Sequence, residues 1–433
     1  MDSVDDNLFR CINMVKYRER IADGILKKKL RLKGAVLIQG AKWIGKTTTG
    51  RQVSGSLIDM TEENNKMLAV LDPVNLLKKE TPVLIDEWQL VPSLWDRVRT
   101  EVDKRVEKGQ FILTGSATPV DKSQYSHSGV GRITRMTMRP MTLYESGDSS
   151  GTVSISDLFS GDCNVFSETD TDLRRIAYLI SRGGWPETIC QDEDDALEVS
   201  RDYVDGIIET DLDKALGFVT DKTITRALLI SYARNIGTQV KYEEIRRDIA
   251  KNELDTLGIT TVYKYINALK TIFLIEDAEC WSPKLRRKTV TRNTDTRYFV
   301  DPSIAVAVRR LGPEDLINDL ETMGFLFENL VMRDLRVYAE SIDGEVYHYR
   351  DRDNDECDAV LHLHDGRYGL IEVKLGDGYF VESGVKSLER VEAKLDITRM
   401  NPPSFKMVIV GAGKNAYRRE DGVYVVPLTC LKP

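Results

Sequence analysis

Hydrophobic positions along the chain fall into three successive textures. Residues 34–40 are almost continuously apolar, the pattern of a short parallel strand buried on both faces. Two similar runs follow, at residues 82–85 and 110–113, each ending abruptly in polar residues. A helical stretch, Ser93–Lys108, lies between them. Alternating strands and helices of this kind predict a parallel α/β sheet. The second texture is helical: Leu173–Ser181 and Leu197–Lys214 flank the turn Arg182-Gly183-Gly184-Trp185-Pro186. Helices are also predicted over 224–235, 242–250 and 259–269, with strands at 272–276 and 297–301. The third texture begins after Leu311-Gly312-Pro313-Glu314 with a helix from Gly324 to near Tyr338. Strands at 345–350, 356–363 and 368–375 follow it. The Gly- and Ser-rich stretch near 146–156 predicts an exposed loop. The expected division is 1–150, a helical lid at 151–220, a third unit at 221–312 and a C-terminal unit at 313–433.

Composition narrows the class. The 433 residues are 41% hydrophobic and 30% charged, with a net charge of −8. Mean hydropathy is −0.32. There is ample material for several cores. No apolar run approaches the roughly 18 residues of a membrane helix, and the first twenty residues lack the pattern of a secretory signal. A cytoplasmic protein without a membrane partner is the expectation. Cys11, Cys163, Cys190, Cys280, Cys357 and Cys430 form no C-x-x-C pair, which argues against a zinc site or a disulfide framework. The acidic total gives no global attraction to nucleic acid, so any such contact must be local.

Candidate chemistry starts where the first strand ends. Gly40-Ala41-Lys42-Trp43-Ile44-Gly45-Lys46-Thr47 fits G-x-x-x-x-G-K-[ST], with a strand before it and a helix after. Such a loop turns its backbone N–H groups and the helix's positive end toward phosphates. Gly40 through Thr48 are therefore expected to bind ATP. Lys46 reaches the β and γ phosphates, and Thr47 binds Mg²⁺. The second strand ends in Asp86-Glu87, an Mg²⁺ ligand followed by a general base for the attacking water. The third ends in Thr114-Gly115-Ser116, whose hydroxyls are candidates for sensing the γ-phosphate or aligning that water.

The chain resembles prokaryotic AAA-plus ATPases that join an ATPase domain to a largely uncharacterised C-terminal region. The resemblance rests on Tyr17-Arg18-Glu19-Arg20, the loop at 40–49, residues 84–89, 111–119 and 129–133, Arg139-Pro140-Met141-Thr142-Leu143-Tyr144-Glu145, and 183–187. It implies an arginine finger at Arg132, with Arg135 and Arg139 as rivals. A finger acting in trans implies a homo-oligomer. A second sensor is expected among Arg174, Arg175 and Arg182.

Residues 223–312 resemble a winged helix, tyrosines of its third helix (Tyr263, Tyr265) included. In such a fold the third helix enters a DNA groove. The basic run Lys284, Arg286, Arg287, Lys288 and Arg292 would meet phosphates. In the C-terminal unit, Asp358 followed by Glu372 and Lys374 matches the D…E-x-K pattern of the PD-(D/E)xK nucleases. Alternation puts Glu372 and Lys374 on one face of a strand. Asp358, Glu372 and helix-borne Glu328 are then expected metal ligands. His362 and His364 share a strand face, as exposed polar residues do. The expected whole is an ATPase using Mg²⁺-dependent ATP hydrolysis to drive conformational change, acting with nucleic acid. The alternatives are a non-hydrolysing nucleotide-gated docking protein and an ATP-controlled metal-dependent nuclease.

Overall fold

A computed structural model describes residues 17–116, 128–161, 165–251, 257–282, 294–396, 398 and 400–433. The wing cations Lys284, Arg286, Arg287, Lys288 and Arg292 lie outside these residues, so the expected basic hairpin is not placed.

Five parallel strands build the first sheet: β1 (Ala35–Gln39), β2 (Ser56–Asp59), β3 (Val83–Asp86), β4 (Phe111–Gly115) and β5 (Ile133–Thr137). Their order is β2-β3-β4-β1-β5. Every strand runs the same way, so the loops after β1, β3 and β4 open at one edge. Inserting β4 between β1 and β3 brings its polar end between the phosphate loop and Asp86. Alternate residues of each strand feed two cores. Val36 and Ile38 meet helix Ile21–Leu32 through Leu26 and Leu30. Ala35 and Leu37 share the other core with Trp95 and Val98 of helix Leu94–Lys104. The sheet is thus buried on both faces, which explains its unbroken apolar runs.

The middle of the chain is helical: Leu173–Arg182, Glu193–Gly206, Lys222–Arg234, Tyr242–Ala250 and Ile259–Thr271. Between them, Ile207–Asp211 is a π-helical turn, a rare feature that often marks functional sites. Antiparallel bridges join Ile275 to Phe299 and Ala278 to Thr296. The predicted strands at 272–276 and 297–301 are therefore present only as isolated bridges.

The C-terminal unit opens on the 22-residue helix Leu320–Ser341. Its strands are β8 (Gly344–Arg350), β9 (Glu356–Leu363), β10 (Tyr368–Lys374), β11 (Phe405–Val410), β12 (Asn415–Arg418) and β13 (Tyr424–Pro427). Helix Tyr379–Lys394 covers one face through Val381, Val385 and Leu388. Two strands come from the span expected to be lid. β6 (Val153–Ser154) pairs with β14 (Leu431–Lys432), and β7 (Phe166–Glu168) pairs with β12. The seven-stranded order is β7-β12-β13-β11-β10-β9-β8. The Gly- and Ser-rich stretch is consequently largely buried, not a wholly exposed loop. Ser149 Oγ donates to Leu431 O at 2.6 Å and Ser154 Oγ to Pro433 O at 2.9 Å. Composition cannot reveal this, because hydroxyls that serve solvent and hydroxyls that satisfy distant carbonyls look alike in a sequence. Among the described residues, no helix is long and apolar enough to cross a membrane.

Candidate nucleotide site

The loop after β1 has the backbone its glycines predict. Gly40 has φ 150° and Gly45 φ 89°. A Cβ on Gly40 would stand 2.1 Å from Met138 O, so no larger residue fits. Ala41 and Ile44 are wholly buried beneath the loop. Lys42 and Trp43 form its outer tip. Helix Lys46–Arg51 begins directly after Gly45, with Lys46 and Thr47 in its first turn and Thr48 beside them. Lys46 Nζ donates to Ala41 O at 2.6 Å and Gly40 O at 3.1 Å, curled into its own loop. Burial lowers its pKa to about 8, opposed by the charges of Glu87 and Asp86.

Three loops converge on Asp86. Its Oδ1 accepts from Thr47 Oγ1 at 2.8 Å and also from Thr114 Oγ1. Glu87 follows in a left-handed conformation, φ 52°, which is uncommon for a residue with a side chain and costs backbone energy. Gln89 Nε2 donates to its Oε2. Ser116 is buried just beyond. Asp86, Glu87, Thr114, Ser116, Lys46 and Thr47 are therefore together at the open edge of the sheet, as expected. Thr47 and Asp86 fit Mg²⁺, an oxygen-seeking ion that takes few protein ligands.

The arginines sort differently. Arg132 precedes β5, whose Ile133 pairs in register with Ala35 at the start of β1. The phosphate loop lies at the other end of β1, roughly 16 Å away at about 3.3 Å per residue. Arg132 bonds Asp103 at 2.7 Å and does not reach its own loop. Arg135 packs over Trp95. Arg139 is buried between Glu276 and Glu340, at 2.7 Å and 3.0 Å. None of the proposed second sensors points to the loop. Arg182 and Arg175 both pair with Asp148, and Arg174 pairs with Glu314.

Several contacts at this site leave no signal in the sequence. Arg20 is buried and braces the loop from below: Nη1 donates to Ile44 O, Nη2 to Arg139 O and Nε to Glu145 Oε1, each at 2.9 Å. Lys42 pairs with Asp211 of the π-helical turn at 2.6 Å. Trp43 meets Tyr203, which stacks on Trp185 with centroids 4.0 Å apart. Pro186 lies beside Gly45. The loop's tip thus touches the middle helices directly. Those helices are tied onward. Gly184 N donates to Asp301 at 3.0 Å, and Trp185 Nε1 donates to Ser303 Oγ at 3.0 Å. Asp301 also holds Arg333 of the C-terminal helix at 2.8 Å.

The C-terminal sheet does gather Asp358, Glu372 and Lys374. Lys374 Nζ is 2.6 Å from Glu372 and 3.6 Å from Asp358. Asp358 accepts from Val373 N at 2.7 Å. Burial pushes Glu372 up to about 8, with the Asp358 charge adding and Lys374 opposing. Burial also raises Glu328, whose carboxyl accepts from Tyr298 Oη. Asp358, Glu372 and Glu328 each have other partners in this structure. Among the described residues, no group of three or more His, Cys, Asp or Glu is arranged to hold a metal ion. The position between Asp358 and Glu372 is taken by the Lys374 ammonium, and Glu328 is engaged by a tyrosine from the preceding unit.

Comparison with known proteins adds to this geometry. Residues 32–146 match the family model of an AAA domain. Residues 173–315 and 323–431 match two domains of unknown function, DUF8612 and DUF4143. Uncharacterized proteins of Mycobacterium tuberculosis and Mycobacterium bovis are each 24% identical over 423 residues, 96% of this chain and 85% of theirs. A Walker-type ATPase of Pyrococcus abyssi aligns at 15% identity and TM-score 0.40, covering 68% of this chain and 96% of its own. A STAND ATPase with a tetratricopeptide repeat sensor from Pyrococcus horikoshii aligns at 11% identity and TM-score 0.21, over 76% of this chain and 48% of its own. The parallel sheet, the phosphate loop with its Asp86 partner and the AAA match together make residues 32–146 a nucleotide-binding domain of the P-loop ATPase kind.

Proposed function

We propose that the chain hydrolyses ATP with Mg²⁺ and relays the nucleotide state to its helical and C-terminal units. The observation that carries this reading is the double hydrogen bond to Asp86, which joins the ends of β3 and β4 to the phosphate loop. Thr47 and Asp86 would hold Mg²⁺, which supplies charge stabilisation to the phosphoryl oxygens. Lys46 turns from its own carbonyls to the phosphates. Glu87 orients and deprotonates the attacking water. The relay runs through Lys42–Asp211 and Trp43–Tyr203, which tie the loop's tip to the middle helices. The winged helix expected at 221–312, with its basic run at 284–292, is the part of the reading that points to nucleic acid as the relay's target.

The test is ATP turnover with Mg²⁺ and with chelator. Turnover is expected to stop on chelation. Thr47→Val is expected to lower it by about a hundredfold through loss of transition-state charge stabilisation. Hydrolysis that continues without divalent metal sinks the proposal.

Arg132 stands at the sheet edge opposite its own site, so it acts on a neighbouring copy. Turnover per chain is expected to rise with protein concentration. Arg132→Ala is expected to remove that rise and to cut the plateau by on the order of tenfold or more. A rate per chain that is independent of concentration, and unchanged in Arg132→Ala, ends the trans reading without touching the Mg²⁺ result.

A further inference from the structure

Two sheet edges face one cleft. β5 ends the ATPase sheet and β8 ends the C-terminal sheet. A cleft of about 740 Å³ lies between them, lined by Thr134–Thr137 of β5 and Gly344–Tyr347 of β8. Helix Ile21–Leu32, which lines the cleft, packs against helix Leu320–Ser341. Exposed strand edges invite further pairing, and proteins ordinarily blunt or cover them.

Hydrogen bonding shows which backbone groups remain. Met138 N donates to Gln39 O, and Ala35 N donates to Arg132 O. Even-numbered residues of β5 therefore face β1. By the alternation of a parallel ladder, Arg135 and Thr137 turn their N–H and C=O groups outward. The same logic applies to β8. His348 N donates outward to Glu279 O, while Asp343 O accepts inward from His364 N. Gly344 and Val346 then share the outward direction of His348. Among the described residues, none of these four outward positions has a main-chain partner on that side.

Two further observations indicate a ligand space and its charge. Gly24 sits in the interior of its helix, where glycine costs about 1 kcal/mol relative to alanine. It lines the cleft, and nothing lies within 4 Å of where its Cβ would stand. Lys29, Lys33 and Arg135 also line the cleft and have no carboxylate partner among the described residues. Lys29 and Lys33 come from the helix on the Met136 face of β5, and Arg135 comes from the opposite, Trp95-side face. Both faces of an added strand would thus meet cations at the β5 side. Of the six carboxylates in the lining, Asp343, Glu276, Glu340 and Asp277 are paired with Lys28, Arg139, Lys270 or Arg297, while Glu279 and Glu345 on the far wall have no Lys or Arg partner among the described residues.

We propose that this cleft binds an extended acidic peptide as a strand added to β5. Main-chain hydrogen bonds to Arg135 and Thr137 give the binding its register. Acidic side chains on alternate positions reach Lys29 and Lys33 on one face and Arg135 on the other. This is β-augmentation, in which backbone bonding supplies affinity and flanking side chains supply selectivity. Single-stranded nucleic acid fits less well. It has no N–H and C=O ladder to offer to Arg135 and Thr137.

The probes are four fluorescein-labelled ligands, followed by anisotropy on the full chain. They are a hexapeptide alternating Glu and Val, its Gln-Val counterpart, the Glu-Val peptide methylated on alternate amide nitrogens, and single-stranded oligothymidine. The Glu-Val peptide is expected to bind. Methylation or Gln replacement is expected to weaken it by about tenfold or more, since each removes one class of contact. Thr137→Pro removes an outward N–H at an edge, where proline is tolerated, and is expected to weaken binding similarly. Gly24→Trp, which fills the cleft from the helix that carries Lys29, does the same. Gly24→Trp removes no contact of the phosphate loop, so its ATP turnover is expected to stay at the wild-type rate, whereas Thr137→Pro also removes the hydroxyl that accepts from Gln39 Nε2 beside Gly40, and is read by peptide binding alone. The proposal is overturned if the Glu-Val peptide does not bind, if its methylated form binds equally well, or if oligothymidine alone binds. The methylation comparison uses the wild-type protein and so does not depend on any variant folding.

Discussion

Glu87→Gln is expected to lower ATP turnover by about 10²–10⁴-fold, the usual worth of a positioned general base, while leaving ATP bound. The two side chains are nearly the same shape, so the left-handed turn at φ 52° and the neighbouring Gln89 are undisturbed. Lys46, Thr47 and Asp86 make their contacts independently of residue 87. What disappears is the carboxylate that accepts the water's proton. The variant should therefore hold ATP through the Mg²⁺ and phosphate contacts and fail only at chemistry. Two measurements separate these effects. Single-turnover hydrolysis reports the chemical step. The ATP-induced rise in melting temperature reports binding, worth about 2.7 kcal/mol at a ligand concentration one hundred times Kd. If turnover falls by less than a few fold, Glu87 is not the base. If the melting shift vanishes along with turnover, the residue serves binding and the assignment is wrong in a different way.

The ATPase sheet and its site were legible because each local signal agreed with the next. Continuous apolar strands, glycines needing unusual φ, and polar strand ends can hardly be satisfied except by a buried parallel sheet with its chemistry at one edge. Arg20 belongs to a sequence motif that says nothing of its role. Its guanidinium contacts Ile44, Arg139 and Glu145, which are 24, 119 and 125 residues away. No periodicity encodes such a contact. Strands β6 and β7 were missed for the same reason: two or three residues pairing with partners more than 240 positions on leave no alternation to read. Asp358, Glu372 and Lys374 show the limit of what spacing reads. The spacing correctly brought them together, but spacing says nothing of whether an ion or the lysine itself occupies the middle.

Arg333→Met is expected to destabilise the protein by about 3–5 kcal/mol, the cost of stranding a buried charge partner. Arg333 is 1% exposed, and its side chain lies 2.8 Å from Asp301 and 2.7 Å from Asp334, each wholly buried. Those carboxylates also accept from Gly184 N and Leu143 N. The knot therefore joins the ATPase domain, the turn beside the phosphate loop, residues 301–303 and the C-terminal helix. Removing the guanidinium leaves two carboxylates in a dry site: Asp334 keeps Leu143 N, and Asp301 keeps Gly184 N, Ser303 N and the Ser303 hydroxyl. Lysine cannot replace it, because one ammonium lacks the planar fork that serves both acids. The loss should depend on pH with a definite sign. Burial already pushes Asp334 up to about 6 against the pull of Arg333. Without Arg333 its folded pKa rises further above the unfolded value, so the folded variant binds a proton that the unfolded chain releases. Stability of the variant then falls as pH rises through that higher pKa. Urea denaturation of wild type and Arg333→Met at pH 5.5 and pH 8 is the measurement, with the larger difference expected at pH 8. A difference below about 1 kcal/mol at both pH values, on the scale of an exposed ion pair, would show that the knot is ornamental. A loss that is large but equal at the two pH values would show that packing of the Arg333 stem, and not its charge, holds the four segments together.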